Sequence, residues 1–174
     1  MSCGVIYLFT FQLNMHWFGD WLEFSSGVNW VFIPSGLRLL FVLVLAETGA
    51  AGIVLGTLVI SYTSHHPDTH LFNTVTSFIS GAAPYLARHL CITRLHLDAH
   101  LSNLNAQAFF KISIVFAIVN ALMHQIWFFW TGATENFTSS TTAMAVGDWL
   151  GTVLVLTASS VVLKTFKRLN PPNL

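Results

Sequence analysis

Apolar stretches follow one another along this chain, separated by short polar gaps. Six stand out, at about 5–24, 28–45, 49–62, 71–92, 106–130 and 141–163. A membrane's hydrocarbon core is about 30 Å thick and takes roughly 20 apolar residues to cross as a helix. The pattern therefore predicts an all-α fold. It reads as a polytopic membrane helical bundle of about six transmembrane helices with short loops, forming a single integral membrane domain over 1–174. The first stretch is weak, because Gln12, Asn14, His16, Asp20 and Glu23 interrupt it. It either spans or lies partly in the interface, where Trp17 and Trp21 are at home. If it does not span, five remain. The second carries Pro34 and Gly36 near its start. A tight turn at Glu47–Thr48 separates it from the short third. Gly81 and Pro84 interrupt the fourth.

Composition agrees with a lipid solvent. The 174 residues are 54% hydrophobic and 8% charged, where a soluble domain carries about 25% charged residues. The net charge is zero, so nothing points to nucleic acid as a partner. Cys3 and Cys91 are far apart and form no CxxC, which suits free thiols and not a disulfide framework. The N-terminus lacks a charged leader region and a small-residue cleavage site, so it is expected to be retained. No stretch is left for a soluble catalytic domain. The expected partners are membrane lipids and a membrane protein or larger complex.

Basic residues set the expected orientation. Arg88, Arg94 and Lys111 surround the loop after the fourth stretch, and Lys164, Lys167 and Arg168 follow the last. The segments 20–26, 63–70 and 131–140 hold no Lys or Arg. Positive charge marks the cytoplasmic side. Both termini are then expected in the cytoplasm, with the His65–His70 loop outside.

Charges within spans cost about 2.5–3.5 kcal/mol on insertion scales, so each needs a reason. Arg38 and Asp148 fall at similar depth with opposite sign and are expected to pair across the bundle. Such a pair fixes helix register or builds a ligand or switch site. Around Arg38, Trp30, Pro34 and Gly36 are further candidates. A break at Pro34-Ser35-Gly36 would line a small pocket with Asn29 and Trp30, or the segment is an ordinary turn into the helix. Asn73, Asn120, His124 and Gln125 are the other polar groups in spans. Asn120 and His124 are four apart and share a helix face.

Small residues mark close helix approaches. Gly52 and Gly56 form one row, and Ala143, Gly147 and Gly151 another, used within the bundle or as a homodimer seam. His65, His66 and His70 are weak metal candidates at the outer surface. A buried haem needs axial histidines on two facing spans, and only His124 lies deep. No haem, pigment or other cofactor is expected. Nucleophilic triads, phosphate-binding glycine loops and zinc-protease spacings are absent from the sequence, so no enzymatic activity is expected.

One resemblance joins several of these segments. Asn29-Trp30-Val31-Phe32-Ile33-Pro34-Ser35-Gly36-Leu37-Arg38-Leu39 looks like the W-x-P-x-G-hydrophobic entry of the bacterial membrane-associated sensor (MASE-type) domains. Gly49-Ala50-Ala51-Gly52-Ile53-Val54-Leu55-Gly56 resembles the next helix of that family. Asn73-Thr74 with Arg88 fits the helix after it, and Gly147-Asp148-Trp149-Leu150-Gly151 resembles the closing D-x-x-G helix. The likeness implies a bacterial inner-membrane sensor module, here without the signalling output domain that usually follows. The expectation is a non-enzymatic module that binds a small ligand or membrane partner and acts in trans. The alternatives are an accessory subunit of a respiratory or photosynthetic complex, and a small transporter or substrate-binding membrane subunit.

Overall fold

The computed structural model describes residues 2–25, 28–63, 69–94 and 106–169. These form five helices: α1 (Ser2–Leu22), α2 (Ile33–Thr63), α3 (His70–Arg94), α4 (Ala106–Thr131) and α5 (Phe137–Leu169). A short antiparallel ribbon lies between α1 and α2. Its strands are β1 (Glu23–Ser25) and β2 (Val28–Asn29), with Glu23 opposite Asn29 and Ser25 opposite Val28.

The helical class is as the pattern predicts, but the count is not six transmembrane helices. Among the described residues, three helical segments are by length and composition long and apolar enough to cross a membrane: Ile33–Thr63, Gln107–Thr131 and Phe137–Val162. The second and third predicted spans belong to one helical element, α2. The remaining two helices are too polar to join those three. Gln12, Asn14 and His16 interrupt α1, and Asn73, Ser77, Ser80, Arg88 and His89 interrupt α3.

The turn expected at Glu47–Thr48 exists as a sharp kink one residue earlier. Ala46 has φ 48° and ψ −121°, the conformation of the first central residue of a type II′ turn, where glycine is the usual occupant. The Thr48 hydroxyl donates to the Leu45 carbonyl at 2.6 Å across the turn. The chain folds back here. A Cβ on Gly49 would collide with the carbonyl of Phe41, although eight residues of straight helix rise about 12 Å. The first arm of α2 is thus 33–45 and the second 47–63. Tyr85 of α3 fastens the turn by donating its hydroxyl to Glu47 Oε1 at 2.9 Å.

Both rows of small residues are used inside the bundle. Gly52 and Gly56 admit the start of α1, so that a Cβ on Gly52 would strike Cys3 Sγ, and one on Gly56 would lie 3.0 Å from the Gly4 carbonyl oxygen. On α5, Gly147 and Gly151 give room to the carbonyls of Asn29 and Phe32. The Phe32 amide donates to the Gly147 carbonyl at 3.1 Å, so the entry to α2 is laced directly to α5.

The distribution of side chains inverts that of a water-soluble core. Leu39, Leu43, Ala87, Cys91, Ile112 and Phe116 do form one buried apolar cluster. Yet Ser35, Arg38, Asn120, His124, Gln125, Asp148 and Thr152 are all buried. Large apolar groups such as Val44, Leu55, Phe78, Ile126 and Trp130 face outward. In water such a surface would carry a heavy cost, whereas lipid tails solvate it.

Candidate functional site

Arg38, His124 and Asp148 line a cavity of about 390 Å³ to which every helix contributes. Small-ligand sites have volumes of about 300–1,000 Å³. Two separate polar constructions meet there, one ending in Arg38 and the other in Asp148.

Arg38 stands on the first arm of α2 and is 5% exposed. Its Nε and Nη2 both donate to the hydroxyl oxygen of Tyr7, at 2.9 and 2.6 Å. Tyr7 is fully buried on α1. It reaches this position because Gly56, and Gly4 one turn before it, let α1 lie close to the second arm of α2. The guanidinium also lies 5.2 Å from the ring centre of Phe32 and 5.3 Å from that of Tyr7. Its Nη1 has no hydrogen-bond partner among the described residues.

Asp148 is 1% exposed on α5. Its Oδ2 accepts from Asn120 Nδ2 of α4 at 2.6 Å. Its main-chain carbonyl accepts from the Ser35 hydroxyl at 2.9 Å. The Ser35 side chain interacts with the Asp148 carboxylate as well. Behind Asn120 the polar chain continues. His124 lies within hydrogen-bond distance of the Asn120 carbonyl through Nδ1, at 2.9 Å, and of Ser80 Oγ of α3 through Nε2, at 3.3 Å. A carbonyl can only accept, so Nδ1 carries the proton and Ser80 donates to Nε2. Three helices are thereby joined through Ser80, His124, Asn120 and Asp148.

The expected pairing of Arg38 with Asp148 takes an indirect form. They line the same cavity, but no direct ion pair joins them among the described residues. Tyr7 and Asn120 occupy the bonds that a direct pair would have used. Thr57 and Asn73 complete the polar wall. Asn73 Nδ2 reaches the Ser61 carbonyl at a long 3.5 Å, and Thr57 Oγ1 has no partner.

Other expected residues fall differently. Trp30 does not line the cavity. It is 43% exposed and meets Phe24 edge to face, 5.4 Å between ring centres. Pro34 and Gly36 do not break a helix, since α2 begins at Ile33. Proline suits the first turn, where its missing N–H has no intrahelical acceptor to lose. Gly36 instead lets α5 approach, as a Cβ there would lie 2.6 Å from Val155 Cβ. His65 and His66 lie outside the described residues, as do His96 and His100. His70 opens α3 on the surface and stacks on Tyr62 at 5.6 Å. Among the described residues, no group of three His, Cys, Asp or Glu could hold a metal ion. Both nitrogens of His124 are engaged, so it offers no free ligand atom to a haem iron.

Tyr7, Ser35, Ser80 and Thr57 are site residues that sequence reasoning did not single out. Tyr7 had a signal. Cys3 and Gly4 precede it by about one turn and form a small-residue face of the kind that docks against a glycine row. Hydroxyls such as Ser35 and Ser80 carry no distinguishing pattern.

No protein-family model, no curated protein and no solved structure matches this chain.

Proposed function

We propose that the chain is a membrane-embedded receptor module that takes a small polar ligand into the central cavity and passes its occupancy to a partner protein. The observation that carries this reading is the cavity itself. A buried guanidinium and a buried carboxylate both face it, and the guanidinium has a nitrogen without a partner. In an apolar environment such groups are costly unless something pairs with them. A ligand that bridges the first arm of α2 and α5 would favour one relative placement of these helices, which is the differential contact a signal requires. The motif likeness to MASE-type sensors agrees with this role.

The setting we propose is a bacterial inner membrane, with the Lys/Arg-bearing end of α5 on the cytoplasmic side. Glu23, Ser61, Asn73 and Ala133 line the cavity and lie at the element ends remote from Arg88, Arg94 and Lys111. Ligand would therefore enter from the outer side. The side chains around the cavity offer no activated nucleophile, and the module is read as non-enzymatic.

The test is a thermal-stability screen of the detergent-purified protein against amino acids, organic acids, amines and sugars. A ligand present at 100 times its Kd stabilises by about 2.7 kcal/mol, which raises Tm by roughly 5–10 °C for a chain of this size. Loss of the shift in Arg38→Gln would locate the ligand in the cavity. A screen with no shift at all would overturn ligand binding. Affinity purification in mild detergent tests the second half, and a preparation with no stoichiometric partner would count against action in trans.

A further inference from the structure

We infer that the ligand is a small zwitterion, carrying a carboxylate and an ammonium group with an apolar side group, as in an α-amino acid such as leucine or phenylalanine. This rests on the receptor reading above and specifies its ligand class.

Two opposite charges in one cavity of low dielectric attract each other strongly. They close into contact unless other bonds hold them apart. Here both are held. Tyr7 takes two of the Arg38 nitrogens, and Asn120 takes Asp148 Oδ2 while Ser35 fixes the Asp148 main chain. What remains is one unpartnered donor, Arg38 Nη1, and a carboxylate, that of Asp148, at the cavity wall. They sit on different helices that face the same cavity.

The charge pattern selects against molecules of a single sign. An anion would meet Arg38 and be repelled by Asp148, and a cation would meet the reverse. A molecule with both charges satisfies both groups and adds no net charge to the cavity, which Glu23 also lines. Rejection of half-matching ligands by an unpaired charge is a strong source of specificity. The carboxylate accepts from Arg38 Nη1, and the ammonium donates to the Asp148 carboxylate. The unpartnered hydroxyl of Thr57 adds a donor. Phe11, Phe72, Phe128 and Met144 supply apolar wall among the polar groups, which suits a hydrocarbon side group.

The experiment is equilibrium binding of radiolabelled leucine and phenylalanine to the full chain in lipid nanodiscs. Competitors are 4-methylpentanoate, which lacks the ammonium, and 3-methylbutylamine, which lacks the carboxylate. Saturable binding is expected, with each half-analogue at least about tenfold weaker, the equivalent of one charge-assisted hydrogen bond. Asp148→Asn should weaken leucine and relieve the penalty on 4-methylpentanoate. Arg38→Gln should do the converse with the amine. If either variant fails to elute as a single species, the competition on the unaltered protein still decides. A half-analogue that competes as well as leucine overturns the zwitterion and leaves the cavity a ligand site. Failure of both amino acids to bind at about 1 mM also overturns it. The receptor reading falls with it only if the wider thermal screen is empty too.

Discussion

The two arms of α2 are joined by one turn and both are apolar, yet the bundle uses them in opposite ways. The first arm presents Ser35 and Arg38, whose bonds run outward to α1 and α5. The second presents Gly49, Gly52 and Gly56, whose contribution is the absence of side chains. The first arm carries specific polar contacts at separations that leave a hole. The second brings backbones together at its glycines, and Thr57 and Ser61 next along it line the same cavity. The difference shows how a small bundle can hold a cavity: closeness along one arm positions Tyr7, and Tyr7 then holds Arg38 at the cavity wall.

That contrast can be broken most severely at the close contact. Gly52→Leu drives a side chain into Cys3 and the α1 backbone, where overpacking costs about 3 kcal/mol or more. Size-exclusion chromatography should show aggregated or degraded protein, and a sharp monodisperse peak would mean that α1 does not dock there. Tyr7→Phe tests the polar arm alone, since it keeps the ring and removes the acceptor for two Arg38 donors. A loss of about 3 kcal/mol is expected, seen as a Tm lower by roughly 6–12 °C, with the elution profile unchanged. An unaltered Tm would show that the fork contributes nothing. The mildest change, Ala46→Gly at the joint, should stabilise. A positive φ with this ψ costs a side-chain-bearing residue about 1–3 kcal/mol, partly offset by the greater freedom of glycine in the unfolded chain. A net gain of about 1 kcal/mol would raise Tm by roughly 2–4 °C, and a fall would contradict the turn geometry.

Much of this contrast was legible in the chain. The two glycine rows, the turn near Glu47, and the similar depth of Arg38 and Asp148 all follow from apolar periodicity and the cost of charge in lipid. What periodicity does not encode is which group satisfies which. Tyr7 lies on the stretch whose polar interruptions made its placement ambiguous, and its partner is 31 residues away. Asn120 and His124 were placed on one face, but the acceptor on α5 and the donor on α3 depend on how helices rotate about their axes. The β1–β2 ribbon escaped notice because strands of three and two residues are too short to establish an alternation. The turn between the arms of α2 is expected at Glu47–Thr48 and centres on Ala46, where the usual glycine would have marked it.

His124 has a further consequence. Its proton sits on Nδ1 against the carbonyl of its own helix, and Nε2 accepts from Ser80. An imidazole relays protons by receiving at one nitrogen and releasing at the other, then turning over to reset. Both nitrogens are already committed, so neither step can start without breaking a buried bond. Vesicles containing the protein and a pH-sensitive dye should therefore acidify no faster than empty ones. In the membrane setting proposed above, His124 thus locks the cavity wall without offering a proton relay across it.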